Sequence, residues 1–177
     1  MHSIVSRINN VSAFFTSCMM GLAVAIALSS FLFTAEPKGD LAILSVKTYP
    51  AKARRWHKAN QELTFVNFNI TGDLSPLFHW NTKQLFLYLQ AEYGTATGVK
   101  NEVVIWDRIV RSKEKAVLDV VGKNKYPFRE LSTSFRNIPA ANYTLRYNVM
   151  PYLGVLTYGE AARTVEEIAF PELSEKV

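Results

Sequence analysis

The feature that most constrains this chain is a stretch near its N-terminus that carries no charged side chain. No Asp, Glu, Lys or Arg occurs between Arg7 and Glu36, and residues 13–33 are mainly Phe, Met, Leu, Ala, Val and Ile. A bilayer core about 30 Å thick is crossed by roughly 20 helical residues, which matches this segment. Pro37 and Gly39 are expected to end the helix, because proline cannot donate a backbone hydrogen bond. The sequence therefore predicts a membrane-spanning helix.

A cleavable signal peptide is the alternative interpretation of this segment. Signal peptides have an apolar region of only about 7–15 residues and a small-x-small cleavage site. Here the apolar run is longer, and the best exit, Ala35, is preceded by Phe33 at a position that should be small. The pattern favours an uncleaved anchor.

The anchor divides the chain into three parts. We expect a cytosolic tail over residues 1–12, a transmembrane helix over 13–34 and one lumenal domain over 35–177. The charges nearest the helix favour a cytosolic N-terminus, whereas a wider window with further Lys and Arg residues opposes it. Long domains tend to translocate whatever their charge, so we expect the C-terminal domain on the lumenal side.

Small residues recur every four positions along the predicted span. They are Ser17, Gly21, Ala25 and Ser29, and this spacing puts them on one helix face. Such a stripe allows close packing against another transmembrane helix, although membrane helices are rich in small residues in any case. The single cysteine, Cys18, lies in the same run, and we interpret it as a small apolar side chain rather than an acylation site.

Beyond the anchor the hydrophobic pattern alternates with a period of two, which is typical of half-buried strands. In residues 143–149 one face carries Tyr, Leu, Tyr and Val, and residues 84–91 place Leu85, Leu87 and Leu89 inside. Further candidate strands are 41–48, 63–70, 103–110, 116–121 and, more weakly, 164–170; a short helix could start at Asp73. Turn residues separate these segments, which indicates a mainly β fold, an antiparallel β-sandwich.

The chain offers little that resembles a catalytic or metal site. Its three histidines have no second histidine or cysteine at metal-ligand spacing, and no nucleophile, zinc or phosphate-binding motif occurs. Ser112 and Lys115 match a short S-x-x-K pattern within a charged turn, and His79 could pair with Asp73, although a structural histidine packed on Trp80 is the simpler interpretation. We therefore expect no catalytic residues, no metal and no cofactor. The net charge of +5 is mild and dispersed, so no nucleic-acid partner is expected.

Three N-glycosylation sequons occur. Asn142 is the strongest candidate, because strand alternation places it with Thr144 on the polar face just after the turn at Pro139. Asn69 is a weaker candidate, deeper in a strand. Asn10 abuts the membrane on the expected cytosolic side, so we expect it to be unused.

Two surface features indicate partners. Phe86 and Tyr88 lie on the second face of their strand, where large aromatics would be unusual unless covered, so we expect a partner interface that includes Trp80, Phe86 and Tyr88. The basic stretch 52–58 follows the anchor closely enough to meet lipid headgroups, although a solvated loop is the simpler interpretation.

Several longer stretches of the chain resemble one family. Residues 68–74 (FNITGDL), 78–89 (FHWNTKQLFLYL) and 91–93 (AEY), followed by 103–107 (VVIWD) and 142–145 (NYTL), are similar to subunit 3 of the eukaryotic signal peptidase complex. The run W-N-x-K-Q-L-F-L-Y-L is long and chemically mixed, and therefore far more specific than any short motif.

The resemblance implies an endoplasmic reticulum membrane protein of type II with a lumenal β-sandwich. It implies an essential, non-catalytic role: a separate serine-type catalytic subunit of the complex removes signal peptides, and this subunit supports it. The partners implied are that catalytic subunit, the other subunits and membrane lipid. Asn142 matches the family's glycosylation position, whereas Asn69 departs from an expected acidic residue, and residues 150–177 diverge more.

Two other functions are compatible with the residues. A membrane-anchored lumenal hydrolase using His79 or Ser112 would be active as an isolated domain. A lumenal recognition or chaperone-adaptor module would bind its ligand without any catalytic subunit present.

The anchor interpretation predicts that the full-length chain stays in the membrane pellet after alkaline extraction, because residues 13–33 are buried in hydrocarbon. Immunoblotting of pellet and supernatant measures this. A soluble chain with an N-terminus near Ala35 would instead indicate a cleaved signal peptide.

Overall fold

The computed structural model describes residues 3–51, 60–95, 98–130, 133–136 and 138–174. Within these ranges, one helix precedes a series of strands. The helix is α1 (Ile4–Ser29), continued by a 3-10 turn, Ser30–Leu32. The strands are β1 (Lys38–Ala51), β2 (Gln61–Asp73), β3 (Thr82–Gly94), β4 (Lys100–Val110), β5 (Val117–Lys123), β6 (Phe128–Arg129), β7 (Ala140–Pro151), β8 (Thr157–Arg163) and β9 (Ile168–Ala169). The basic stretch 52–58 lies outside the described residues.

Helix α1 is long and apolar enough to cross a membrane together with its 3-10 turn, over Ile4–Leu32. It begins at Ile4, well before the start expected at residue 13, because the Ser3 hydroxyl accepts a hydrogen bond from the Ser6 amide (3.2 Å) and caps it. Its 26 residues extend over about 39 Å, so a helical turn or more projects beyond a hydrocarbon layer of ordinary thickness.

The strands form two antiparallel sheets, which confirms the predicted fold class. Sheet A has the order β1-β2-β5, with β6 also paired to β2. Sheet B has the order β4-β3-β7-β8, with β9 also paired to β7. Alternate residues of the two sheets face each other across a shared apolar core, as in a β-sandwich.

The core lies where the alternation predicts it. Leu85, Leu87 and Leu89 of β3 are fully buried, and they share the core with Phe68 of β2. The Phe68 ring meets the Trp106 ring of β4 edge to face, with centroids 5.6 Å apart. A second group of rings, at the end of the sandwich away from α1, consists of Tyr93, Phe128, Phe135 and Phe170.

Three local expectations need correction. Strand β8 was not predicted, because its sequence contains Gly159, Glu160 and two alanines and shows no apolar alternation. The weak candidate 164–170 is a strand only at Ile168–Ala169. The helix expected at Asp73 is a 3-10 turn, Ser75–Leu77, although the Asp73 carboxylate does accept a hydrogen bond from the Ser75 amide (2.8 Å).

The core packing predicts that Phe68→Ala lowers the free energy of unfolding by about 3–5 kcal/mol, because a fully buried ring leaves a cavity. Urea unfolding of the detergent-solubilised chain, followed by tryptophan fluorescence, measures this. Val121→Ala is the control, since Val121 is 70% exposed and its truncation should change stability by less than about 0.5 kcal/mol. If Phe68→Ala lowers the free energy of unfolding no more than Val121→Ala does, the described core packing is wrong.

Candidate interaction surfaces

The outer face of sheet B carries an aromatic pair. Phe86 and Tyr88 of β3 point away from the core, and their rings stack with centroids 5.6 Å apart. Both side chains are half-buried, and their register partners on β4 are Ile109 and Asp107. The expected outward placement of Phe86 and Tyr88 is therefore what the structure shows. Trp80, the third residue expected at an interface, lies in the turn before β3 and is 58% exposed.

Beside the aromatic pair, the same face carries an ion-pair network centred on Glu92. One carboxylate oxygen accepts hydrogen bonds from Arg146 (3.0 Å) and Gln90 (2.6 Å), and the other accepts one from Arg163 (3.0 Å). Burial alone would raise the pKa of Glu92, but the Gln90 hydrogen bond and the two guanidinium charges outweigh it and hold that pKa below its ordinary value. The carboxylate is therefore ionised at neutral pH and orders two arginines on the outer face.

This network bears on the sequon at Asn142. The Asn142 amide group donates a hydrogen bond to Glu167 (3.1 Å), and Asn142 is half-buried on the polar face of β7. Thr144 lies on that face too, as predicted, but it is fully buried, and its register partners are Gln90 of β3 and Arg163 of β8. In the folded sheet the Thr144 hydroxyl of this sequon is therefore covered.

The other two sequons have different surroundings. Asn69 lies in the centre of sheet A, between β1 and β5, and its side-chain oxygen is buried without a hydrogen-bond partner among the described residues. Asn10 lies within α1. Neither position offers the end of a strand next to a loop, as Asn142 does.

The candidate catalytic residues are His79, Ser112 and Lys115, and the structure places them as follows. The His79 ring stacks on Phe33, with centroids 4.9 Å apart and planes 4° from parallel, rather than on Trp80. Its Nδ1 accepts a hydrogen bond from the backbone amide of Asn81 (3.2 Å). Burial lowers the pKa of the ring, so His79 is neutral at physiological pH. Ser112 starts a 3-10 turn, Lys113–Lys115, and the side chain of Lys115 is exposed to solvent. Among the described residues, no group of acidic, His and Cys side chains could hold a metal.

A buried side-chain amide, which no sequence motif marks, joins the helix to the sandwich. Asn81 is 2% exposed. Its side-chain nitrogen donates to the Ser30 hydroxyl (2.7 Å) and to the Leu153 carbonyl (2.8 Å), and its side-chain oxygen accepts from the Leu153 amide (3.2 Å). We call these contacts the Asn81 clasp. The only sequence signal was a polar residue directly before a strand, which is also common in turns.

Beside the clasp, a cleft of about 340 Å³ separates the end of α1 from sheet B. Its walls are mainly apolar, and they include Phe33, Ala35, Leu77, His79, Tyr147 and Val149. This cleft is where the membrane-spanning segment passes into the sandwich, so it lies at the level of the bilayer surface if α1 spans the bilayer.

The small-residue stripe faces away from the chain's own loops. The hydroxyls of Ser17 and Ser29 bond within the helix, to the Ala13 and Ile26 carbonyls, and nothing else lies within 4 Å of where a side chain at Gly21 would begin. Cys18 is also exposed. Apart from Ser29, which is half-buried, the stripe is exposed and open to lipid or to another helix.

Comparison with known proteins gives consistent matches along the chain. A family model described as "Signal peptidase subunit" matches residues 1–173. A Caenorhabditis elegans protein named signal peptidase complex subunit 3 is 35% identical over 97% of this chain and 95% of its own length. Proteins of the same name from Saccharomyces cerevisiae and Gallus gallus are 34% and 32% identical over 90% and 88% of this chain, and 92% and 87% of their own lengths.

The sequon geometry predicts that Asn142→Gln removes one endoglycosidase-sensitive glycan. The variant should migrate faster on a gel and match the deglycosylated parent chain. Asn69→Gln is the control, and we expect it to leave mobility unchanged. Unaltered mobility of Asn142→Gln would count against both the site and the lumenal placement of the domain.

Proposed function

This chain belongs to the signal peptidase subunit family whose curated members are named signal peptidase complex subunit 3, and from that membership we propose that it is a non-catalytic subunit of a signal peptidase complex. In this proposal residues 1–12 are cytosolic, residues 13–34 span the endoplasmic reticulum membrane and residues 35–177 form the lumenal domain. The sandwich braces a serine-type catalytic subunit, which removes signal peptides from nascent proteins.

The observation that carries the supporting role is the aromatic pair on the outer face of sheet B. Large aromatic side chains are the commonest anchors of protein interfaces, and they work best where neighbouring groups exclude water. Phe86 and Tyr88 are already stacked on a rigid central strand, so little conformational entropy is lost when a partner covers them. We assign Phe86, Tyr88 and Trp80, which lies in the turn before β3, to the interface with the catalytic subunit.

The Glu92 network supports the same assignment. It holds Arg146 and Arg163 at fixed positions beside the aromatic pair, with partly exposed guanidinium groups. Ordered charges at the rim of an apolar patch set the orientation of a partner more than they add affinity. The outer face of sheet B thus combines an apolar centre with a fixed polar rim, which is the usual composition of a protein interface.

The contacts of the candidate catalytic residues are compatible with a non-catalytic role. His79 is neutral, stacked and hydrogen-bonded to the backbone, so its contacts serve the packing of the turn before β3. Ser112 and Lys115 lie in a solvated turn. The chemistry of the complex is therefore assigned to the catalytic subunit.

The anchor makes this support efficient. Confining two proteins to one membrane raises their effective concentration, so modest lumenal contacts suffice for assembly. The stripe of Ser17, Gly21, Ala25 and Ser29 gives a second contact, between transmembrane helices, where small side chains permit close approach.

The proposal predicts that Phe86→Asp combined with Tyr88→Asp lowers co-purification of the catalytic subunit from detergent by at least about tenfold, because loss of two aromatic anchors costs about 2 kcal/mol or more each. Signal peptide cleavage in cells that depend on the variant should fall with it. Quantitative blotting of the eluate measures the first effect.

Val121→Asp is the matched control, since Val121 is an exposed apolar residue on sheet A. It should leave assembly unchanged. Normal assembly of a folded, membrane-inserted Phe86/Tyr88 double variant would refute the assigned interface. Proteolytic activity of the isolated chain would refute the non-catalytic role, and ligand binding by the chain without its complex would favour the recognition-module alternative.

A further inference from the structure

The loop between β7 and β8 exposes an unusual amount of apolar surface. In this loop, residues 152–156, Tyr152 is 70% exposed and Val155 is 69% exposed, while Leu153 and Leu156 are 38% and 42% exposed. The chain carries no charged side chain between Arg146 and Glu160. A contiguous apolar tip of this kind marks a site that something other than water covers.

The backbone of this loop lies directly against α1. Gly154 has φ = +120°, a conformation that favours glycine, and a Cβ atom added to it would come within 3.2 Å of the Ala27 Cα. The Asn81 clasp holds the same loop at Ser30, as described above. The loop is therefore attached to the helix at two levels, one turn apart.

These contacts fix the depth of the loop relative to the membrane. Ala27 and Ser30 both lie inside the segment without charges, and Ala27 is about 4.5 Å deeper along the helix axis. If α1 spans the bilayer, a loop that touches Ala27 cannot remain in bulk water. With residues 13–34 in the bilayer, Ala27 is about 10 Å inside the end of the span, so the loop reaches from the headgroups into the outer part of the acyl chains.

The backbone groups of Tyr152 and Leu153 suit this placement. Unpaired backbone groups are costly in hydrocarbon, so only satisfied ones enter it. The Tyr152 amide donates to the Asn81 carbonyl (2.8 Å), and the amide and carbonyl of Leu153 both bond to the Asn81 side chain. The segment also contains a tyrosine at its tip, and tyrosine is enriched where a protein crosses the headgroup region.

The face of the helix that carries the loop is distinct from the small-residue stripe. An α-helix turns about 100° per residue, so Ala27 lies about 200° from Ala25, on the opposite side. A helix that packs on the stripe therefore leaves the loop side free for lipid.

We propose that Tyr152, Val155 and Leu156 insert into the headgroup–acyl boundary of the leaflet that holds the C-terminal end of α1. The loop is a second membrane contact, and together with α1 it fixes the tilt of the sandwich on the bilayer. This inference rests on the membrane placement of α1 in the proposed function and on no property of the protease complex.

The test uses single cysteines labelled with an environment-sensitive fluorophore, in the full-length chain carrying Cys18→Ser and reconstituted alone in phosphatidylcholine vesicles. The labelled variants are Tyr152→Cys, Val155→Cys, Leu22→Cys in the middle of α1, and Val165→Cys at the far end of sheet B. Val165 is a matched control, because it is a fully exposed valine. Unchanged urea unfolding shows that each variant folds.

We expect labels at positions 152 and 155 to emit at shorter wavelength than the label at position 165. Lipids brominated near the headgroup should quench them more strongly than lipids brominated at the ends of the acyl chains. The label at position 22 should show the reverse depth preference, and the label at position 165 should be quenched by neither lipid.

Three results would overturn the inference. If position 22 is quenched while position 155 behaves like position 165, the loop does not contact lipid, although the anchor does. If the label at position 155 reports apolar surroundings only after the other subunits are added, the loop binds protein instead of lipid. If position 22 is not quenched, the membrane placement itself fails, and the proposed function fails with it.

Discussion

The arrangement of this molecule depends on the apolar surface of α1, which the rest of the described chain leaves uncovered. No residue of the helix is buried within the chain, and apolar side chains such as Phe14, Leu22 and Leu28 are more than half exposed. Keeping this surface in water costs roughly 25 cal/mol per Å² relative to an apolar environment. Hydrocarbon removes that cost, so the position of the sandwich follows from the position of the helix. Only residues 33–37 separate the helical segment from β1.

A short connection alone would let the sandwich swing, and the Asn81 clasp restricts that motion. It joins three segments that are distant in sequence, around Ser30, Asn81 and Leu153. The three candidate contact surfaces consist of different residues: the stripe of small residues along α1, the loop at residues 152–156 and the outer face of sheet B. In the proposed function each surface has a different partner, which is a transmembrane helix, lipid or the catalytic subunit.

Sequence patterns predicted those strands whose residues alternate between a buried and an exposed face. Alternation identified β2, β3 and β7 because each buries one face, and it placed Phe86 and Tyr88 outward. It missed β8, whose Ala161 and Ala162 are small enough to be buried without an apolar pattern. Thr144 lies on the polar face as predicted, yet it is fully buried. Asn81 was missed since its partners come from two remote segments, and no local pattern encodes such a contact.

The order of synthesis gives the clasp a further meaning. Ser30 leaves the ribosome first and Leu153 last, so the amide of Asn81 remains without its final partners until the hairpin of β7 and β8 has emerged. Before that moment the Asn81 side chain lacks the two hydrogen bonds that Leu153 supplies. Closure of the clasp therefore follows the synthesis of the β7–β8 hairpin, although Ser30 and Asn81 are made much earlier.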